Sequence, residues 1–378
     1  MSNKTSEDRI EIIDSFRALS IIGVMLYHFF SAYVNFSING KPYYPYENKY
    51  DFFFWGKYGV EFFFIISGFV IFYTLTNTPN LITFAKRRFT RLFPSILVST
   101  LIIYVFLLFF DVHDVIPEGH KLRNFIPSLT FVKPSIFSEI SRIIASKTQF
   151  EYINGSYWSL WPEIEFYFIA GTLFFYNKKK YTRNLFIVTI SLMIVQNFLL
   201  GNQELYRSSS DWIRIVLLYS STLSQHFDIA NYIFYFSIGS LSFSLFCSWK
   251  NRKKVELELL LYIMFLVLIQ TITVQTNMLI IVNLVMVLLF MAFIYFPKTI
   301  SYIKNPFLSK IGLSSYFLYL IHEPIGILII NSFGGKTSNL AFILPLLLIF
   351  ALISISIYYY DNIEKRLTNL CRQFLIKA

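Results

Sequence analysis

The sequence predicts an all-α integral membrane protein, and its composition and its long apolar segments both indicate that class. Of its 378 residues, 55% are hydrophobic and only 15% are charged, whereas a soluble domain carries about 25% charged residues. About ten apolar segments are long enough to cross a bilayer as helices. They lie at 15–36, 52–75, 92–110, 157–176, 184–200, 228–247, 257–273, 277–296, 311–331 and 340–360. No stretch has the composition of a separate soluble domain, so residues 1–378 are expected to form a single membrane-embedded domain.

The positive charges predict the orientation of the chain in the membrane. Basic clusters such as 86–91, 178–183 and 250–254 fall in alternate loops, which hold about twice as many Lys and Arg as the opposite loops. Such an excess marks the cytoplasmic side, so both termini are predicted to be cytoplasmic. The N-terminal segment lacks a small-residue cleavage site, and the first span is expected to serve as an uncleaved insertion signal. Because the net charge of +11 is divided among these clusters, it is no sign of nucleic-acid binding.

The stretch Ile13–Phe30, which overlaps the first span, carries an arginine and a histidine in a mostly apolar sequence. His28 follows Arg17 by eleven positions. On an α-helix the two side chains then point in directions about 20° apart and lie about 16 Å apart along the axis. Arg17, with Asp14 one turn before it, is expected at the cytoplasmic mouth, and His28 deep in the bilayer. An ionisable group at that depth is costly, so His28 is a candidate functional residue.

The second and third spans add polar groups on either side of a short loop. Ser67 precedes Gly68, and small residues of this kind let helices pack closely. Helix packing is therefore the simpler explanation of this pair. Arg87, Arg88 and Arg91 follow near the start of the third span. Arg88 and Arg91 share a helix face, and their forked donors suit phosphate, although a topology signal that meets lipid headgroups explains the cluster equally well.

The fourth span begins with Trp158, Ser159 and Pro162, followed by two carboxylates. Glu163 lies one turn from Tyr167, and a buried carboxylate at this point could orient a histidine or stabilise its cation. Glu165 is the carboxylate that solvent could reach. A helix-capping role is the simpler alternative for both.

The ninth span carries a second intramembrane histidine, His322, next to Glu323 and Pro324. Ser315 lies seven residues before His322, on nearly the same face, and Tyr319 lies one turn before it. A hydrogen bond between helices explains His322 as well as chemistry does.

Two segments are too polar to be ordinary spans. The connection 111–157 contains His113 and His120, which could bind a metal, but no cysteine or close carboxylate cluster supports that. A solvated loop without a metal is expected there. Residues 211–224 are half apolar and contain Arg214, so they are expected at the outer interface.

Taken in order, these motifs resemble the membrane-bound acyltransferase-3 family. The resemblance extends from residue 12 to about 325 and rests on five blocks. They are Arg17-x10-His28, the FFFIISGF block ending at Phe69, Arg87–Pro94, Trp158–Tyr167 and Ser315–His322. The chain departs from the pattern at Gln225-His226, where relatives often place an arginine.

The resemblance implies an enzyme of the bacterial inner membrane that moves an acyl group, commonly acetyl, from cytoplasmic acyl-CoA to a carbohydrate hydroxyl. Many relatives act on lipopolysaccharide O-antigen, capsule or peptidoglycan. Some relatives carry a C-terminal SGNH hydrolase-like domain. This chain ends soon after its last predicted span, so direct transfer within the membrane core is expected.

The residues and the resemblance together predict a tunnel through the helices. The phosphates of acyl-CoA, the co-substrate, are expected at Arg87, Arg88 and Arg91, with Arg17 nearby in a catalytic role. His28 is the expected general base, and Glu163 would orient it or stabilise its imidazolium. A route through an acyl-histidine stays open, as does the choice of Ser67, Tyr167 or Trp158 as oxyanion donor. The remaining residues expected to line the site are Asp14, Ser159, Ser315, Tyr316, Tyr319 and His322.

Two other functions fit parts of the sequence. A transporter or flippase of a glycan or organic anion would line its path with the same polar groups. The paired arginines favour a phosphorylated donor over that alternative. A purely structural subunit for polysaccharide assembly would leave Arg17 and His28 without a purpose.

Overall fold

The computed structural model confirms an all-α membrane protein. It describes residues 11–33, 37–38, 41–42, 51–111, 114–144, 146–200, 212–213, 225–252, 257–274, 276–334 and 342–376. Apart from a minimal antiparallel pair, β1 Ser37–Ile38 and β2 Lys41–Pro42, the regular structure of these residues is helical. The first seven α-helices are α1 Glu11–Tyr27, α2 Gly59–Thr76, α3 Leu81–Phe110, α4 Phe125–Thr130, α5 Pro134–Ile143, α6 Leu160–Tyr176 and α7 Tyr181–Ile194. The next seven are α8 Ile229–Lys250, α9 Leu257–Thr273, α10 Asn277–Tyr295, α11 Pro297–Ile300, α12 Pro306–Gly334, α13 Ile343–Tyr359 and α14 Lys365–Ile376.

Each of the ten predicted spans corresponds to a helix of the structure. By length and composition, 7 described helical segments could cross a membrane unaided, and α9 is a shorter apolar helix. The number of spans and the cytoplasmic termini therefore stay predictions. Of the expected interfacial piece 211–224, only residues 212–213 are described, and they are helical. The rest of that piece lies outside the described residues.

Glycines permit two close contacts between helices that shape the site. At Gly312 on α12, an added Cβ would overlap the carbonyl oxygen of Asp14 on α1. Gly68 on α2 lies equally close to the backbone of Phe236 on α8, and Gly239 on α8 to that of Ile65. The helix-packing explanation of Gly68 is thus confirmed, because only a residue without a Cβ permits this approach. The α1–α12 contact brings the two intramembrane histidines together.

The end of α1 is the second local feature that shapes the site. From His28 to Ala32 the helix widens into a π-helical turn, with Phe29 and Phe30 fully buried. Such turns interrupt the regular i to i−4 hydrogen bonding and are frequent at functional sites. His28 is the first residue of this turn, and α12 packs against it.

The connection between α3 and α6 is described except at residues 112, 113 and 145, and its last part is buried among the helices. Asn154 is fully buried and its side-chain amide donates to the carbonyl oxygen of Leu320 at 2.7 Å. Ser156 and Tyr157 are also buried, in a 3-10 turn that runs from Gly155 to Ser159. The expectation of a solvated loop over 111–157 is therefore wrong for Ile153, Asn154, Ser156 and Tyr157. Side-chain hydrogen bonds pair polar backbone groups of this irregular segment. Irregular backbone can lie within a helix bundle only when its polar groups are paired in this way.

The start of the same connection contains a carboxylate cluster that the sequence analysis did not expect. Ligand atoms of Asp111, Asp114 and His120 lie within 4.8 Å of one another. Asp111 accepts hydrogen bonds from the backbone N–H groups of Val115 at 2.7 Å and Ile116 at 2.9 Å. Its other close partner is His120 Nε2, at 3.1 Å. These bonds explain the cluster as a cap on the turn after α3. His113 lies outside the described residues.

Candidate active site

The central feature of the site is a direct hydrogen bond between two histidines from α1 and α12. His28 Nδ1 lies 2.8 Å from His322 Nε2, and the two rings are nearly parallel, with centroids 5.0 Å apart. His322 is fully buried, whereas His28 is half-buried. His322 thus makes a hydrogen bond between helices, one of the two explanations that the sequence left open, and its partner is the predicted base.

The hydrogen-bond partners of His322 assign the protons of both rings. His322 Nδ1 lies 2.7 Å from the carbonyl oxygen of Tyr319, and a carbonyl can only accept. His322 Nδ1 therefore carries a hydrogen, and in the neutral ring expected of a fully buried imidazole Nε2 holds a lone pair. His28 Nδ1 must then donate to His322 Nε2. This leaves the lone pair of His28 on Nε2, the nitrogen that can take a proton from a substrate.

Glu323 is a functional candidate that the sequence analysis mentioned without assigning it a role. Its carboxylate accepts hydrogen bonds from the hydroxyls of Tyr33 and Ser156 and interacts electrostatically with His28. The ring of Tyr33 lies 6.3 Å from that of His28. The sequence signal for Glu323 was its position beside a histidine inside a predicted span, because an intramembrane carboxylate is as costly as an intramembrane histidine. Ser156 was missed because its segment was expected to be solvated.

A cavity of about 540 Å³ lies between α1, α2, α3, α6, α12 and α14. We call it the basic cavity. Ten of the predicted site residues line it, namely Asp14, Arg17, Ser67, Arg88, Arg91, Ser159, Glu163, Ser315, Tyr316 and Tyr319. Lys365 and Arg372 of α14 line it as well. Positions 365, 368, 369 and 372 all line the cavity and have the spacing of one helix face.

Glu163 pairs with groups of the basic cavity and not with His28. Its Oε1 lies 3.4 Å from Arg88 Nη2 and accepts from Ser67 Oγ at 3.3 Å and from the hydroxyl of Tyr167. Arg88 also donates to the Tyr167 hydroxyl, with its guanidinium carbon 4.4 Å from that ring's centroid. The structure thus gives Glu163 a different partner from the one predicted. The hydroxyls of Ser67 and Tyr167 both donate to Glu163. Neither is therefore directed at the position of a developing oxyanion.

The three clustered arginines have three different environments. Arg88 is buried by its partners, and Arg91 faces the basic cavity with no carboxylate of the described residues within ion-pair distance. Arg87 instead donates to the carbonyl oxygen of Asn77 at 2.8 Å and to Thr78 Oγ1 at 3.1 Å. It is absent from the cavity lining, so its placement favours a structural role over the predicted one.

The basic cavity ends one side chain away from the histidine pair. Tyr319 lines the cavity, and its ring centroid lies 5.5 Å from that of His322. Its hydroxyl donates to the carbonyl oxygen of Ser156 at 3.0 Å, and His28 itself does not line the cavity. The predicted path from Arg17 is present as far as Tyr319, which closes it.

A second cavity, of about 490 Å³, lies on the other side of the Gly155–Ser159 turn. We call it the acidic vestibule. Its lining residues come from α5, from 149–158 and from the start of α8, and they are Lys133, Pro134, Ser135, Ser138, Glu139, Gln149, Phe150, Glu151, Tyr152, Gly155, Trp158 and Asp228. Trp158, predicted to line the site, lines this cavity and not the basic one. Its ring lies 6.4 Å from that of Phe64, which lines the basic cavity, so a thin layer separates the two.

Burial and neighbouring charge affect the titratable groups of the acidic vestibule. Burial, with a smaller contribution from Glu118, raises the pKa of Glu151. Burial and then the carboxylates of Asp228, Glu165 and Glu151 raise the pKa of Tyr152, so its hydroxyl keeps its proton and can donate. Glu165 is itself buried and accepts from the backbone N–H groups of Asp228 and Ile229 at 3.1 and 2.9 Å. It therefore caps α8 and is not the solvated carboxylate that was expected.

Comparison with known proteins adds three findings. A family model described as an acyltransferase domain matches residues 10–359. The O-acetyltransferase OatA of Staphylococcus aureus strain NCTC 8325 is 28% identical over 222 residues, which cover 54% of this chain and 33% of that protein. The OatA proteins of strains COL and MRSA252 give the same figures, so the match spans about a third of the length of these relatives. No solved protein structure matches the chain.

Proposed function

The chain belongs to the acyltransferase-3 family, and from that premise we propose that it is a membrane O-acyltransferase. It moves an acyl group, commonly acetyl, from cytoplasmic acyl-CoA to a hydroxyl of an extracytoplasmic or lipid-linked carbohydrate. Surface glycans of a bacterial inner-membrane pathway, such as O-antigen or capsule, are the expected acceptors. The observation that carries the proposal is the hydrogen bond of 2.8 Å between His28 and His322, because it leaves His28 Nε2 as a base beyond the end of the basic cavity.

The basic cavity is the proposed site of the donor. Arg17, Arg91 and Arg372 present guanidinium groups to it, and these bind phosphates with forked hydrogen bonds. Lys365 adds an ammonium group at the same mouth. The pantetheine arm of CoA is long and thin, so it can extend along the cavity and carry the thioester to Tyr319. The Tyr319 side chain must then turn aside for the thioester to reach His28.

The histidine pair supports direct acyl transfer. His28 Nε2 takes the proton of the acceptor hydroxyl as the oxygen attacks the thioester carbonyl. The new C–O bond forms, the C–S bond breaks, and the imidazolium returns its proton to the CoA thiolate. His322 holds the His28 ring by accepting from Nδ1–H, as a carboxylate does in a catalytic triad. The carboxylate of Glu323 offsets the positive charge of the imidazolium during the reaction.

A transporter or flippase of a glycan or organic anion is the competing function. Two cavities separated by one closed layer are also what alternating access requires. The two functions differ in their need for a gradient and for a thioester. Acyl transfer from labelled acetyl-CoA in de-energised membranes would support the enzyme and is not expected of a transporter.

The test is the variant His28→Ala, assayed by label transfer from radioactive acetyl-CoA to the glycan fraction of the membranes. Because a general base contributes about 10²- to 10⁴-fold, we expect transfer to fall by at least 100-fold while acetyl-CoA still binds. His120→Ala is the matched control, since His120 lies in the turn after α3 and should leave transfer unchanged. Full acylation by His28→Ala would refute the proposed role of this residue.

A further inference from the structure

The acidic vestibule has the chemistry of a sugar-binding site. Two aromatic side chains, Tyr152 and Trp158, line it together with the carboxylates Glu139, Glu151 and Asp228. Aromatic faces pack against the C–H face of a sugar ring, and carboxylates accept from its hydroxyls with charge-assisted hydrogen bonds. The volume of about 490 Å³ lies within the range of small-molecule sites.

Two of these groups have no side-chain partner among the residues that the structure describes. The hydroxyl oxygen of Tyr152 is buried and has no hydrogen-bond partner among the described residues, and a buried unpaired donor is costly. Glu139 pairs with Arg142 and Asp228 pairs with Lys133, each at 2.7 Å. Glu151 has no such ion-pair partner in the described part of the chain, so its carboxylate is available to a ligand.

The charge of the acidic vestibule selects among possible ligands. Its lining holds the three carboxylates named above and one ammonium group, that of Lys133. Because Glu139 and Asp228 are paired, a ligand carrying a phosphate or a carboxylate would meet the unpaired negative charge of Glu151, which costs binding free energy. An uncharged sugar meets acceptors for its hydroxyls and no repulsion.

The inner wall of the acidic vestibule reaches Glu323, the carboxylate next to the histidine pair. Gly155 lies on this wall, and a Cβ added there would lie 3.7 Å from Glu323 Oε2. Glu323 in turn accepts from Ser156 and from Tyr33, whose ring lies 6.3 Å from that of His28. The space at Gly155 therefore lets a ligand hydroxyl approach this carboxylate, which lies beside His28.

We propose that the acidic vestibule binds an uncharged sugar residue of the acceptor, held by Glu151, Tyr152 and Trp158. This inference rests on the proposed acyltransferase function, which it deepens by giving the acceptor a site and a charge. The aromatic rings pack against the face of the sugar ring, and Glu151 and Tyr152 bind its hydroxyls. One further hydroxyl passes Gly155 towards His28.

The test measures binding by titration calorimetry of the full chain in nanodiscs, so that it does not depend on catalysis. The probes are two uncharged trisaccharides, maltotriose and triacetylchitotriose, and the anionic trigalacturonic acid. We expect at least one uncharged probe to bind and the anionic probe to bind at least tenfold more weakly. Losing hydrogen bonds to a charged group should weaken binding by about tenfold in Glu151→Gln, and Tyr152→Phe should weaken it several-fold.

Asp114→Asn is the matched control for Glu151→Gln, because Asp114 belongs to the same connection but does not line the acidic vestibule. Its φ of 55° is one that asparagine tolerates, so it should bind like the wild type. Failure of both uncharged probes to bind, equal binding of the anionic probe, or unchanged binding by Glu151→Gln would overturn the inference. None of these binding results depends on label transfer from acetyl-CoA, which tests the proposed function separately.

Discussion

The basic cavity and the acidic vestibule differ in charge, and the histidine pair lies beside the layer that separates them. Five basic and three acidic side chains line the basic cavity, whereas one basic and three acidic side chains line the acidic vestibule. A phosphorylated donor is attracted to the first and repelled from the second. In the proposed mechanism, this difference in charge would sort the donor and the acceptor to the two sides of His28. The layer of Tyr319 and Ser156 would keep them apart until reaction.

The largest effect on catalysis is expected from the variant His322→Phe, which changes the histidine pair beside the layer between the two cavities. This change removes the acceptor of His28 Nδ1–H, so the His28 ring loses its orientation and its fixed tautomer. Because general-base catalysis contributes about 10²- to 10⁴-fold, kcat for acetyl transfer should fall by about 100-fold. The affinity for acetyl-CoA, measured by calorimetry, should stay the same. A variant that keeps its kcat would show that His28 does not need this partner.

A smaller effect is expected in the basic cavity, from Arg91→Ala. Losing a charge-assisted hydrogen bond to phosphate should raise the KM for acetyl-CoA by about tenfold and leave the acceptor KM unchanged. Arg87→Ala is the matched control, because the Arg87 guanidinium bonds Asn77 and Thr78. If Arg87→Ala raises the donor KM as much as Arg91→Ala does, the assignment of the phosphates to the basic cavity is wrong.

The smallest effect on catalysis is expected from Glu163→Gln, which tests whether this carboxylate serves the base or the cavity wall. Since Glu163 binds Arg88, Ser67 and Tyr167, its loss should destabilise the protein by about 1–3 kcal/mol. Thermal unfolding in detergent should report this as a lower Tm. We expect kcat to change by less than about tenfold, in contrast with His322→Phe. A loss of kcat equal to that of His322→Phe would restore the predicted pairing with His28.

The sequence predicted the helices and the positions of the costly polar groups, because both are set by local composition. Arg17, Arg88, Arg91 and Glu163 line one cavity as the motifs indicated. The pairing of these groups was not readable, because it depends on how helices distant in sequence pack. The backbone contact at Gly312 joins α1 to α12 and makes His322, not Glu163, the neighbour of His28.

The acidic vestibule was not predictable for a related reason. Polar composition in residues 111–157 indicates a solvated loop when no partner is known. In the structure Asn154 and Ser156 bond to the backbone of Leu320 and the side chain of Glu323. Those bonds bury the segment, which forms part of the layer between the two cavities. Only the partners across the fold distinguish a buried polar segment from a solvated one.

The most direct test of the account is sided acetyl transfer in sealed proteoliposomes, with acetyl-CoA and the acceptor supplied on opposite or on the same sides. Acetyl-CoA does not cross the bilayer, and protease access to a tag after α14 reports the orientation of the protein. With maltotriose or triacetylchitotriose as acceptor, we expect acetylation when acetyl-CoA faces the basic cavity and the trisaccharide faces the acidic vestibule, and no acetylation by His28→Ala. Acetylation only when both substrates are on the same side, or full acetylation by His28→Ala, would contradict it.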